Sequence, residues 1–201
     1  MGETAEARRA KHDLRRRIRA ARRARTDQMR DADAGGLVDV AGDLPEVATA
    51  TCVALYASMP GEPETGPLRA ALRTRGVRVI LPVVLPDGVL DWADDTGELV
   101  APVGFGGDEP AGPRLGTRGV READVVLVPA LAVDTLGRRL GQGAGYYDRA
   151  LPLLEPGVPV VAVVHDSEIL DAAVEALPDE PHDVRVDVVV SPSGYLRIER
   201  D

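Results

Sequence analysis

The chain opens with a stretch, Glu3 to Arg25, in which cations are mixed with alanine and neither glycine nor proline occurs, a composition that favours helix. Its apolar positions are few. Leu14, Ile18 and Ala21 recur at i, i+4 and i+7 and predict one narrow buried stripe. Lys11 and Arg15 flank that stripe at neighbouring angles, so docking it would carry both cations toward the body of the protein. Thr26 and Asp27 offer a cap for a second helix running to about Ala41. After Pro45 the pattern changes to short apolar runs. Residues 50–57 have strand length and end in a Gly/Pro loop, and Thr65 is placed to cap a helix from Pro67 to Arg75 that Gly76 stops. Residues 77–84 and 89–94 read as further strands. The runs at 123–133, 158–166 and 185–192 are rich in valine and almost continuously apolar, which suits strands covered on both faces, as in parallel sheets.

This alternation of strands and helices predicts a single α/β domain over 1–201. N-terminal helices (1–42) pack on an α/β body (50–199), whose mainly parallel sheet is flanked by helices. The segment 93–119 is loop-rich, and a loop of that length is functional or mobile.

Composition narrows the class. Aromatics make up 3% of the 201 residues, so the core must be built mainly from Val, Leu and Ala. The single cysteine, Cys52, excludes an internal disulfide and a cysteine-based zinc cluster, and its apolar surroundings suit a buried inert thiol. No run approaches the ~20 apolar residues that span a bilayer, and the basic N-terminus has no apolar segment behind it. The expectation is a cytoplasmic protein without a membrane partner. The net charge of −9 is uneven: residues 1–30 carry eleven Lys/Arg against four Asp/Glu, +7, which leaves −16 on the remainder. An acidic body disfavours nucleic acid. The basic segment serves either a local anionic ligand or a solvated face.

The candidate chemistry lies between Arg139 and Leu151. Gly141, Gly143 and Gly145 alternate with other residues just before a helical segment, so backbone N–H groups can converge on an anion with a helix N-terminus behind them. The spacing is neither the dinucleotide fingerprint nor a Walker loop. Taken alone, it fits a phosphate cradle and a tight strand–helix turn equally. Arg138 and Arg139 stand within reach of phosphate oxygens. Asp148, one turn away, is suited to a hard divalent cation that bridges phosphates, with Asp187 as a candidate second ligand or merely a charge at a strand start. No Ser–His–Asp or Cys–His set is evident. His12 reads as solvated, His182 as a loop residue, and His165 as a satisfied histidine at a strand end, where α/β sheets also place ligands.

Residues 127–151 closely resemble the signature of the 5-formyltetrahydrofolate cyclo-ligase family, also called 5,10-methenyltetrahydrofolate synthetases. The resemblance continues in order through residues 11–24, 56–65 and 181–192. It implies an ATP- and Mg2+-dependent enzyme that acts on 5-formyltetrahydrofolate, and the expected oligomeric state is a monomer. By this resemblance Lys11, Arg15 and the run Arg139, Leu140, Gly141, Gln142, Gly143, Ala144, Gly145, Tyr146 and Tyr147 would meet ATP. Gln142 to Tyr146, with Ala57, Glu62 and Phe105, would line the folate site. Phe105 would lie against the pterin ring, worth roughly 1 kcal/mol beyond area burial. Asp148 and Asp187 would ligate Mg2+, and Arg139 and Tyr146 would act in catalysis. Trp92 and Tyr56 read as structural. The family often has Arg at the position of Gln142, and Lys or Gly at that of Ala144. These departures keep open a catalytically weak homologue, beside a phosphoryl-transfer enzyme for another small molecule.

Overall fold

The computed structural model describes residues 5–102, 107–178 and 184–199. In chain order it contains helices α1 (Ala5–Arg23), α2 (Asp27–Asp43) and α3 (Pro45–Ala48), strand β1 (Cys52–Ala54), helix α4 (Gly66–Thr74), and strands β2 (Arg78–Val84), β3 (Leu90–Asp94), β4 (Leu99–Val100) and β5 (Glu109–Pro110). Strands β6 (Val125–Pro129), β7 (Ala132–Asp134) and β8 (Arg139–Leu140) follow. The chain continues with helix α5 (Tyr146–Ala150), strands β9 (Val160–Val163) and β10 (Ile169–Leu170), and the hairpin of β11 (Val188–Ser191) and β12 (Gly194–Arg197).

Seven strands form the main sheet in the order β12-β11-β9-β6-β1-β2-β3. Its inner pairs are parallel, and the pairs at the two edges are antiparallel. The valine-rich runs explain why. Val53, Leu127, Val161 and Val190 point into one core with α2, α3 and α4, while Ala54, Val126, Ala162 and Val189 point into the other. Each inner strand is therefore buried on both faces, and apolar residues occupy every position instead of every second one. The expected α/β architecture is observed. Among the described residues, no helix is long and apolar enough to cross a membrane.

A second sheet, β10-β7-β8, stands beyond the carboxyl end of β6 and receives α1. Leu14 and Ile18 bury against Leu131, Ala132, Leu140 and Leu177, as the apolar stripe predicts. The stripe does not continue through Ala21, which is exposed. Its third member is Arg22, with a side chain only 5% exposed. Arg22 Nε and Nη2 donate to the two carboxylate oxygens of Glu168 at 2.7 and 2.8 Å, and Nη2 also reaches the Ala130 carbonyl at 2.6 Å. A bidentate acid waiting at this point makes the arginine, one residue on from the alanine, the inward-facing group.

Capping shows one agreement and one correction. Thr26 caps α2, its hydroxyl accepting from Met29 N at 3.2 Å. Thr65 makes no such bond to α4. Its hydroxyl donates instead to the Tyr56 carbonyl at 2.6 Å and ties down the loop that leaves β1.

Removing one partner of a buried ion pair leaves the other charge uncompensated. Arg22→Ala is expected to lower unfolding free energy by about 3–5 kcal/mol. Ala21→Ser, on the exposed side, should change it by less than about 0.5 kcal/mol. Denaturant unfolding of the two variants checks which residue carries the stripe.

Candidate active site

The carboxyl ends of β1 and β6 open into a cavity of about 450 Å³. Tyr56 and Ala57 reach it from the β1 end, Pro129 and Ala130 from the β6 end, and Arg8, Lys11 and Arg15 from α1. Residues 139–148 form one wall, and Met59, Glu62, Val84, Leu90 and the segment 107–109 complete the lining with Pro82. This is the end of a parallel sheet at which α/β proteins place ligands.

The glycine loop owes its path to two positions. Gly143 has φ of +106° and Gly145 +68°, conformations that side chains with a Cβ rarely adopt, whereas Gly141 lies outside that region. The helix behind the loop, α5, has five residues. Its dipole is correspondingly short, so attraction for an anion falls mainly to amides and side-chain cations. Arg15 Nε donates to the Gly141 carbonyl at 3.0 Å, and Arg19 Nη2 to Gln142 Oε1 at 2.8 Å, so α1 grips the loop directly. The cation–loop adjacency expected for Arg15 is present, and Lys11 stands on the same wall.

Arg139 is buried beneath the loop. Its Nη2 lies 2.5 Å from Asp148 Oδ1, and its guanidinium sits 5.9 Å from the centre of the Tyr147 ring. Arg139 Nε, Tyr147 Oη and Tyr56 Oη are buried without a hydrogen-bond partner. Buried polar atoms are normally satisfied. Three orphans around one cavity mark the places where a polar ligand would complete the structure. Burial pushes both phenols well above the ordinary tyrosine range, with the nearby Glu62 carboxylate adding to the effect, so both hydroxyls act as neutral donors.

Glu62 enters on a tight turn. Pro60 and Gly61 occupy its centre, Gly61 has φ of +90°, and Glu62 N donates to the Met59 carbonyl at 2.9 Å, as a type II turn requires. The carboxylate accepts from Met59 N at 3.0 Å, and Gln142 Nε2 approaches it at 3.4 Å. Burial raises the pKa of Glu62, against the lowering effects of the Met59 N–H and the Arg22 charge.

The structure thus brings together Lys11, Arg15, Ala57, Glu62, Asp148 and the run from Arg139 to Tyr147. Phe105 and His182 lie outside the described residues. Asp187 is not brought to this wall. Its carboxylate accepts from Val160 N at 2.9 Å, at the amino end of β9. That level of the sheet is three residues, roughly 10 Å, below the Pro129 end of β6 that borders the cavity. Asp187 is thus not placed on the cavity wall beside Asp148, and the expectation that the two share one ion finds no support in this geometry. Arg138 is also redirected, since its Nε donates to the buried Asp134 at 2.7 Å.

Tyr56 was expected to be structural but lines the cavity, and Arg8 and Arg19 were not singled out. The signals existed. Tyr56 lies two residues past a parallel strand, while Arg8 precedes Lys11 by three residues and Arg19 follows Arg15 by four, on the same helical face.

Residues 7–192 match the model of the 5-formyltetrahydrofolate cyclo-ligase family. The 5-formyltetrahydrofolate cyclo-ligase of Mycolicibacterium smegmatis is 39% identical over 190 residues, covering 92% of this chain and 94% of that one. The corresponding protein of Escherichia coli K12 is 35% identical over 158 residues, 74% of this chain and 82% of its own. Among solved structures, 5,10-methenyltetrahydrofolate synthetase from Aquifex aeolicus superposes with a TM-score of 0.78 at 27% identity, covering 95% and 94% of the two chains. The synthetase from Mycoplasma pneumoniae shares the fold, with a TM-score of 0.70 at 21% identity over 90% and 98%.

A Cβ at Gly143 would meet the Arg15 guanidinium no closer than 3.6 Å, so Gly143→Ala tests conformation rather than crowding. Strain of about 1–2 kcal/mol at this positive φ should turn the loop amides away. Calorimetric titration with ATP is expected to show roughly tenfold or greater weakening, with thermal stability little changed because the residue is exposed.

Proposed function

The chain belongs to the 5-formyltetrahydrofolate cyclo-ligase family, and from that premise we propose that it closes 5-formyltetrahydrofolate to 5,10-methenyltetrahydrofolate in the cytoplasm, as a monomer, with conversion of ATP to ADP and phosphate. One observation carries the assignment to this cavity. The glycine loop and the α1 cations supply an anion-binding end, while Glu62, Tyr56 and Tyr147 supply buried hydrogen-bonding groups suited to a polar heterocycle.

In this reaction the N5-formyl oxygen attacks the γ-phosphorus of ATP, and ADP leaves. N10 then attacks the activated formyl carbon and gives up its proton, which leaves with the phosphate. Loss of the carbon–oxygen bond releases inorganic phosphate and leaves the ring closed. The nucleophiles belong to the substrate, so the protein supplies alignment and charge neutralisation. Lys11, Arg15 and the loop amides from Leu140 to Tyr147 hold the phosphates. Arg139 adds a guanidinium beneath them for the charge spread over the transferring group. Tyr146, Gln142 and Ala57 bound the space between nucleotide and folate. Glu62, held by its turn, accepts hydrogen bonds from the heterocycle when ionised and donates when protonated.

Mg2+ fits this donor set as a nucleotide-borne ion. It favours one or two carboxylates together with phosphate oxygens and water. Among the described residues no cluster of three or more acidic, His or Cys side chains offers an all-protein cage, while Asp148 lines the cavity. Asp148 is the proposed ligand. Bound there, the ion would neutralise phosphate charge and orient the β and γ oxygens.

The test is spectrophotometric: the absorbance of methenyltetrahydrofolate should grow only when ATP, Mg2+ and 5-formyltetrahydrofolate are all present. ATP turnover that ignores the folate would overturn the proposal. Asp148→Asn should lower kcat by about 100-fold or more while the protein stays folded by circular dichroism.

A further inference from the structure

We infer that His165 is a positioning residue for the substrate loop, holding the Gly61 carbonyl and so setting where Glu62 stands in the cavity. This rests on the reading that the Met59–Glu62 turn meets the folate.

His165 follows β9 by two residues, with its side chain 4% exposed. It does not line the cavity, so it cannot act on substrate directly. Its ring joins two elements far apart in sequence. Nδ1 lies 2.9 Å from Asp33 Oδ2 on α2, and Nε2 lies 3.2 Å from the Gly61 carbonyl. A carbonyl only accepts, so the Gly61 contact requires the proton on Nε2; the Asp33 contact is a donated hydrogen bond only when Nδ1 carries a proton as well.

The Asp33 side of this bridge is stiff. Asp33 also pairs with Arg25, in the turn between α1 and α2. His165 N donates to Glu168 Oε2 at 2.9 Å, and Glu168 is itself held by Arg22. The Gly61 side is a turn whose remaining hydrogen bonds close on themselves, from Glu62 N to the Met59 carbonyl and from Met59 N to the Glu62 carboxylate. Among the described residues, the ring's contact with Gly61 and the longer Gln142 approach to Glu62 at 3.4 Å are the side-chain hydrogen bonds that tie Met59–Glu62 to other elements, while Thr65 anchors the flanking loop through Ser58 and Tyr56. Gly61 is joined to Glu62 by a single peptide bond, so a shift of its carbonyl moves the Glu62 carboxylate with it. Alignment errors of this kind appear in substrate binding before they appear in stability.

The two ring contacts can be separated. Asn at 165 places an N–H₂ near Nδ1 and keeps Asp33, but is too short for Gly61. Gln reaches as far as Nε2 and keeps Gly61, but leaves Asp33 to Arg25. Steady-state kinetics of wild type, His165→Asn and His165→Gln, varying each substrate at saturating levels of the other, are read together with thermal unfolding. His165→Asn is expected to raise KM for 5-formyltetrahydrofolate about fivefold to tenfold, the worth of one lost hydrogen bond, with KM for ATP within about twofold. His165→Gln should stay within about twofold in both. An unchanged folate KM in His165→Asn, an equal rise for both substrates, or a larger folate effect in His165→Gln overturns the inference. Should His165→Asn fail to fold, His165→Gln decides alone: a near-wild-type folate KM supports the bridge and a fivefold rise removes it. Absence of wild-type turnover would sink the proposed activity and this inference with it, whereas an active wild type with an indifferent His165→Asn would sink only the inference.

Discussion

The buried pair between Arg22 and Glu168 is the contact on which the active-site arrangement turns. The stripe by which α1 docks is thin, with Leu14 and Ile18 as its two buried aliphatic residues. Burying two such side chains contributes about 3–6 kcal/mol as an upper bound, and apolar contact alone is tolerant of sliding and rotation. A bidentate guanidinium–carboxylate pair is not. It has one geometry, and Arg22 is further fixed by the Ala130 carbonyl at the end of β6. The net stabilisation from a buried pair is small once desolvation is counted, so its value here lies in fixing the register of the helix.

Register is what the cavity needs. Arg8, Lys11, Arg15, Arg19 and Arg22 are separated by three or four residues, so they form one row along α1. With a rise of about 1.5 Å per residue the row extends roughly 20 Å from the buried pair to the mouth of the cavity. Once Arg22 is seated, Arg15 must meet the Gly141 carbonyl and Arg19 must meet Gln142. A one-residue slip would rotate the row by about 100° and face the cations to solvent. Glu168, in turn, follows β9 through a short 3-10 turn (Asp166–Glu168), which connects the helix to the same sheet end that supplies the floor of the site.

The sheet was legible because burial on both faces leaves a local record: apolar residues, mostly valine, at nearly every position of β6, β9 and β11 with little alternation. The glycine loop was legible for a similar reason, since bare backbone before a helix has few uses. What the sequence hid was long-range. Ala21 looked like the natural third member of the stripe because an arginine counts as polar until its acid is known, and that acid lies 146 residues away. Arg138 and Arg139 are neighbours with equal claims on phosphate. Only the fold shows that one belongs to Asp134 and the other to the cavity. Asp187 was ambiguous between the two ends of its strand, and Tyr56 between core and cavity, because an apolar run does not announce where its strand ends.

The electrostatics of the site follow from how Arg139 and Asp148 share their contact. A guanidinium has five N–H donors, and the carboxylate engages Nη2 while Nε is left unpartnered. Arg139 therefore retains donors for a phosphate oxygen without releasing Asp148. The acid likewise retains lone pairs for a cation. The pair fixes a positive and a negative group at one hydrogen-bond distance, so Arg139 would meet phosphate oxygens and Asp148 would hold a cation that neutralises their charge. With α5 too short for a strong dipole, this preset spacing, the loop amides and the α1 row together account for the attraction of this wall to anions. Tyr56 and Tyr147, kept protonated by burial, and Glu62, whose pKa burial raises, add hydrogen-bonding groups beside these cations, and in the proposed reaction that contrast would give two unlike substrates separate contacts in one cavity.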